Sequence, residues 1–415
     1  MSKKWLYLPL EVTTRELDAK LLLTYYCVKQ NINIILAEQK KLAGIKDCLP
    51  KGIYLSKGYA GPVNRNRIRN AKKLGHIAVE LDEEGLICNP KSYLKNRVPE
   101  QHFNVLDQIY CWGNLQKSTL VKGYGSSDKL FLTGHPRFDL LQKKFRGLYN
   151  DEVKKLKNDF GNFILINTRF AKRTKSKFIQ TLYEHFIRMI KVLCQTYPNH
   201  KIVIRPHPME NVDSYKNEFK NDKNVIVVHE GNIVKWNLAA NIVIHNGCTT
   251  GIEAFLLERP VISYMPITSE EHTDENVANE LSHKATNLDD LLSLINSFLS
   301  DGKNNSTFEQ QDIGKKREIL SNYYASMDGT FAYEKILRLI NNLNTSGEHT
   351  FNKSKFQALT SKQQNDNELK KDPMFLYIMS FFNKLDEIEK CKSEITVNKL
   401  GSNCYLIELN NLEKR

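Results

Sequence analysis

Three stretches of this chain combine residue types and spacings that can carry chemistry. Glu80-Leu81-Asp82-Glu83-Glu84-Gly85 sets three carboxylates side by side. Their mutual repulsion raises the pKa of at least one, and such a group at a cleft edge can take a proton from a hydroxyl. Asp82, Glu83 and Glu84 are therefore the candidate general bases, although a solvated acidic turn closed by Gly85 accounts for the same residues without chemistry. Asp-x-Glu spacing also suits a divalent cation. A backbone phosphate site elsewhere lessens that need, so no metal ligand and no cofactor is assigned. Arg205-Pro206-His207-Pro208 holds an imidazole between two prolines, which stiffen the backbone around it. His207 can contact a phosphate or protonate a leaving one, Arg205 can pair with a phosphate or carboxylate, and Pro208 shapes the same turn. His245-Asn246-Gly247-Cys248-Thr249-Thr250 leads from a strand into a helix. The unpaired N–H groups of a helix start, with the helix dipole, bind anions. An ordinary N-cap is the competing reading. Glu253, one turn into that helix, suits the hydroxyls of a ribose or simply caps the helix. Cys248 lacks an evident His–carboxylate pair and reads as a packing residue.

These stretches need a frame that brings strand ends together, and the pattern of the chain supplies one. Apolar strand-like runs at Trp5–Leu10, Asn33–Ala37, Gly52–Ser56, His76–Leu81, Asp107–Trp112 and Lys129–Thr133 alternate with amphipathic helical runs. A second series has strands at Phe163–Asn167, Lys201–Arg205, Asn224–Val228, Asn241–His245 and Pro260–Tyr264. Such alternation implies α/β architecture: two doubly wound, Rossmann-type domains with parallel sheets, residues 1–150 and 151–344. Ligands of such sheets bind at the carboxyl ends of strands, so the expected site lies in a cleft between the two domains. Thr133-Gly134-His135-Pro136-Arg137-Phe138-Asp139 closes the first series and reads as a structural hinge. Residues 345–372, rich in polar side chains, read as a flexible connector. Residues 373–415 read as a helix, with one or two short strands after Ser393. That helix can pack on a domain, meet a partner or lie on a membrane.

Composition narrows the function classes. The 415 residues are 41% hydrophobic and 26% charged, as in soluble globular proteins, and no apolar run is long enough to span a membrane. Eight scattered cysteines form no CxxC pair, which fits reduced, buried thiols in the cytoplasm. A net charge of +13 asks for an anionic partner. No zinc finger, RNP-like strand or Lys/Arg tract points to nucleic acid. An anionic small molecule, or peripheral contact with an anionic inner membrane, suits the charge.

Taken as a set, ELDEEG (Glu80–Gly85), TGHPRFDLL (Thr133–Leu141), RPHP (Arg205–Pro208) and HNGCTTGIEAF (His245–Phe255) resemble the bacterial surface carbohydrate biosynthesis proteins, a group of GT-B-type glycosyltransferases. More distantly, the pairing of an acid-acid-Gly turn with His-Pro is similar to bacterial sialyltransferases and Kdo transferases. The resemblance covers roughly Trp5 to Asn344. It implies a CMP-activated acidic sugar as donor and a surface glycan, often lipid-linked, as acceptor. It also implies Glu83 or a neighbouring acid as base, His207 as phosphate contact or acid, Thr249 and Thr250 on the phosphate, and Glu253 on the ribose. Two departures stand out: Cys-Thr-Thr replaces a Ser/Thr run, and His135 stands where the family has Asn. The rival readings are another phosphate-handling enzyme of this fold, such as a polyol-phosphate transferase or nucleotide-sugar epimerase, and a non-catalytic nucleotide-sugar-binding assembly subunit.

Overall fold

The structure is a computed structural model describing residues 3–410 except 59–60, 87–88, 171–175, 269–275, 301–307, 346–351, 361–368 and 370. The chain forms two compact units: unit 1 comprises Met1–Leu148 and Ser321–Arg415, and unit 2 comprises Tyr149–Leu320.

In unit 1, strands β1 (Lys4–Leu10), β2 (Ile32–Glu38), β3 (Ile53–Ser56), β4 (Ile77–Glu80), β5 (Gln108–Cys111) and β6 (Leu130–Leu132) pair in parallel in the order β2-β1-β3-β4-β5-β6. Almost every residue of β1 to β3 is buried, as expected of parallel strands covered on both faces. Tyr7, Ile35, Tyr54, Ala78 and Ile109 pack into one core cluster with the helix residues Ile68, Ala71 and Leu120.

In unit 2, β7 (Phe163–Asn167), β8 (Lys201–Arg205), β9 (Val225–Val227), β10 (Ile242–His245), β11 (Val261–Tyr264) and β12 (His283–Ala285) form a second parallel sheet, ordered β12-β11-β10-β7-β8-β9. Alternation along the strands builds two cores. Ile164, Ile166, Ile202, Ile204, Ile242 and Ile244 belong to one, and Phe163, Leu165, Val203 and Val243 to the other. This period-two separation is what a sheet covered on both faces requires.

The end of the chain departs most from the sequence-based expectation. Unit 2 ends at Leu320, not at 344, and the helix Ala332–Asn342 belongs to unit 1. The reason is a cap from far along the chain: Asp139 accepts from the backbone N–H of Ala332 (2.8 Å) and of Tyr333 (2.9 Å). Within the expected connector, Lys353–Thr360 is helical and its Phe356 packs edge-on against Trp5, with ring centroids 5.4 Å apart. The helix Pro373–Glu389 starts at an Asp372 cap and buries Ile378, Phe381, Phe382 and Leu385. It docks on the helix Thr13–Lys29 through Tyr25 to Asp386 (2.7 Å) and Tyr377 to Asp18 (2.8 Å). Two last strands, β13 (Ile395–Gly401) and β14 (Cys404–Leu409), then extend the sheet of unit 1. β14 pairs antiparallel with β2. No helix among the described residues is long and apolar enough to cross a membrane.

Candidate functional site

In unit 2, β7 is the first strand yet lies between β10 and β8, so the order reverses beside it and leaves a crevice at the strand ends. Register brings the singled-out residues into one row there: His245 of β10 pairs with Asn167 of β7, which pairs with Arg205 of β8. The RPHP and HNGCTT stretches thus flank the end of β7. Thr249 and Thr250 open the helix Thr249–Leu256, where the first N–H groups precede any intrahelical acceptor. Thr249 is exposed and Thr250 half-buried.

The turn before that helix is tied from beneath. Gly247, at φ 77°, donates its N–H to His245 Nδ1 (2.9 Å). Its carbonyl accepts from Asn276 Nδ2 (2.7 Å) and Arg169 Nη1 (3.2 Å). Ser282 Oγ donates to the carbonyl of Ala278 (2.7 Å) and so accepts from His245 Nε2 (2.8 Å). This chain assigns the Nε2–H tautomer. His245 is fully buried, and burial pushes its pKa down to about 3, so the ring is neutral. A Cβ on Gly251 would fall 2.3 Å from that ring, so helix and histidine pack at closest approach. The sequence-based expectation that His245 contacts a phosphate is thus corrected: both ring nitrogens are engaged within the fold, and the residue supports the turn. Glu253 is also fully buried, which closes the expected ribose contact. Arg205 departs too: its guanidinium donates to the carbonyls of Glu230 (2.6 Å) and Gly231 (3.1 Å) and lies over the Trp236 ring. Burial lowers its pKa to about 10 against the pull of Glu230 and Glu253. Arg205 stays charged but braces a neighbouring turn. Burial raises the pKa of the Cys248 thiol, in keeping with a packing role.

One organiser escaped the sequence reading. Glu210, buried two residues past Pro208, accepts from the N–H of Phe170 (2.8 Å) and His207 (3.2 Å), and from Thr168 Oγ1 (3.1 Å) and Tyr215 Oη (2.6 Å). It clamps the loop after β7 to the loop after β8 and so sets the position of His207, which is half-buried. The Nδ1 of His207 accepts from the N–H of Met209 (3.2 Å), leaving Nε2 as the proton-bearing nitrogen of the neutral ring. Pro208 is exposed. A carboxylate within RPHPME was the only available signal for Glu210. At the strand ends, Asn167 and Asn246 are 3% and 9% exposed. Asn246 donates to the carbonyl of Arg169 (3.4 Å), while its Oδ1 and the Nδ2 of Asn167 have no hydrogen-bond partner among the described residues.

In unit 1 the three acids of the ELDEEG turn have three different fates. Asp82 pairs with Arg97, its backbone carbonyl accepts from Trp112 Nε1 (2.6 Å), and it touches Gly58. Glu83 is only 4% exposed, 3.1 Å from Lys20 and 3.5 Å from His135 Nε2. Burial opposes its charge, but Lys20 and His135 outweigh that and hold its pKa well below the usual carboxylate range. A carboxylate so enclosed and so weakly basic is a poor general base, which corrects the leading assignment. Glu84 is the exposed member, bound to Arg97 (2.9 Å) and Arg15 (3.3 Å). Lys20 also bridges to Glu16 (2.9 Å), which caps its helix by accepting from the N–H groups of Glu11 and Val12. Burial opposes the charge on Lys20, yet Glu83 and Glu16 raise its pKa. The His135 loop, expected to be a hinge alone, thus also meets the acidic turn. Among the described residues no three His, Cys, Asp or Glu side chains cluster as a metal site would.

No protein-family model matches the chain, and no curated protein matches it. Its structure is similar to that of the UDP-GlcNAc 2-epimerase of Methanocaldococcus jannaschii in complex with UDP-GlcNAc and UDP. The TM-score is 0.53 at 15% identity, over 82% of this chain and 99% of that one. It is similar also to the UDP-GlcNAc 2-epimerase of Neisseria meningitidis bound to UDP-GlcNAc (0.53, 13% identity, 82% and 100% covered). A third is the wall teichoic acid polymerase TagF (0.51, 14% identity, 82% and 88% covered). At such identities the likeness establishes the fold: two Rossmann-type units of the GT-B type. None of these three is a sialyltransferase or Kdo transferase, so that part of the resemblance rests on the motifs alone.

Proposed function

We propose that this chain is an enzyme acting on a nucleotide sugar, with unit 2 holding the nucleotide phosphate. The observation that carries the reading is the helix start at Thr249–Thr250, set at the point of strand-order reversal, with His207 in the loop after β8 on the other side of β7. Preorganised N–H donors there stabilise anionic charge. The buried, unpartnered amide atoms of Asn167 and Asn246 at the same strand ends add a donor and an acceptor for a polar ligand. The first reaction class is nucleotide-sugar epimerisation, supported by the similar solved enzymes that bind UDP-GlcNAc. The second is glycosyl transfer from a CMP-activated acidic sugar to a surface glycan, favoured by the motif set and by TagF as a similar fold. In a transfer reaction the helix start of unit 2 takes the charge of the departing phosphate.

The test is a thermal-shift screen of the full chain against UDP, CMP, CDP and GDP, followed by proton NMR of UDP-GlcNAc and of a CMP-sugar incubated with the protein. A ligand at one hundred times its Kd stabilises a native state by about 2.7 kcal/mol. Stabilisation by UDP with a change at the sugar C2 supports epimerisation, whereas stabilisation by CMP alone supports transfer. No shift with any nucleotide sinks both.

A further inference from the structure

We propose that unit 1 carries a second ligand site of its own, for a sugar or polyol bearing a phosphate or carboxylate. A cavity of about 680 Å³ lies at the ends of β1, β2 and β3, within the size range of pockets that enclose drug-sized molecules. β1 sits between β2 and β3 in the sheet, so the chain leaves it in one direction and returns on its other side. This is the strand-order reversal of unit 1, where such sheets bind ligands.

The lining has three chemical parts. Arg67 and Lys40 supply positive charge, and neither has an ion-pair partner among the described residues; Lys57, the third cation, is engaged by Glu11 and Glu16. The first turn of the helix Pro62–Lys73 adds an N–H donor at Val63 on the same wall. Carboxylate and amide groups of Glu38, Gln39 and Asn403 offer hydrogen bonds to hydroxyls. Pro62, Met374 and Val63, the last 64% exposed, provide apolar surface for the C–H face of a ring or chain. Cations, hydroxyl-binding groups and a small apolar face together match an anionic sugar or polyol better than a purely apolar ligand or a bare ion. Met374 and Asn403 come from the final forty-odd residues, so the C-terminal segment is part of this wall. None of Asp82, Glu83 and Glu84 lines it.

The site is tested by calorimetric titration of the full chain with glycerol 3-phosphate, glucuronate and inorganic phosphate. One or both organic probes should bind more tightly than inorganic phosphate, the stronger one telling a phosphate from a carboxylate ligand. Arg67→Ala should weaken that binding at least tenfold, and Val63→Trp, which fills the cavity from an exposed position, should abolish it. Arg69→Ala, on the exposed side of the same helix, should leave it unchanged, as all three should leave any nucleotide-induced thermal shift. Organic probes that bind no better than phosphate, or binding that survives both Arg67→Ala and Val63→Trp, overturn the proposal. A chain that binds no nucleotide yet keeps this pattern refutes the reading of unit 2 and leaves the unit 1 site standing.

Discussion

At the scale of single residues, burial decides which polar groups serve as chemistry and which as framework. His245 is a neutral ring inside unit 2, with its pKa at about 3 against 6.5 in the open chain. Its folded pKa is depressed, so its contribution to stability is complete above pH 6.5 and is lost as pH falls toward 3. Each pH unit in that window costs up to about 1.4 kcal/mol. Denaturant unfolding at stepped pH should show this acid limb, and His245→Asn should flatten it. Lys20 faces two enclosed carboxylates, Glu16 and Glu83. Lys20→Met removes the cation the two share, leaving Glu16 to Lys57 and Glu83 to His135, and should lower unfolding free energy by about 3 kcal/mol, measured by the same titration. The identities of these residues were plain in the sequence, but not that Glu83 lies inside and Glu84 outside. In a turn of adjacent acids no local signal separates them; Lys20 and His135, distant in sequence, do.

At the scale of elements, loops at strand ends are held by contacts that cross the chain. Glu210→Ala removes an acceptor from four donors at once, and each orphaned buried group costs about 1–3 kcal/mol. The variant should lose several degrees of thermal stability, and any nucleotide it binds should bind at least tenfold more weakly, as read by titration. The alternation of apolar strands with amphipathic helices made nearly every strand of both sheets legible, from Lys4–Leu10 to Val261–Tyr264. The short strand His283–Ala285 and the helix Ile233–Ala239 were missed, being too brief to show a period. β14 covers β2, whose sequence INIILAE is almost wholly apolar. A chain ended after Leu343 exposes that edge and should aggregate, visible as scattering at concentrations where the full chain stays monodisperse.

At the scale of the whole molecule, unit 2 is one continuous segment, Tyr149–Leu320, set between the two parts of unit 1. It has its own two-sided core, as an independently folding domain needs. Expressed alone, residues 149–320 should unfold in one cooperative transition and keep any nucleotide-induced shift of the full chain. A molten far-ultraviolet melt without a transition counts against this.

What the sequence determined by itself was the class of architecture and the place of its chemistry. Short, near-continuous apolar runs joined by amphipathic helices imply parallel doubly wound sheets, and loops such as RPHP and HNGCTT then fall at strand ends. The tertiary structure decided which polar atoms remain open to a ligand, because that depends on distant partners: Ser282 for His245, Glu230 and Gly231 for Arg205, Lys20 for Glu83. It also decided where the last ninety residues go, since Asp139 caps a helix nearly two hundred residues away and β14 finds its partner in β2. Pairings of that length leave no periodic trace in the chain; only burial and hydrogen bonding in the folded state select them.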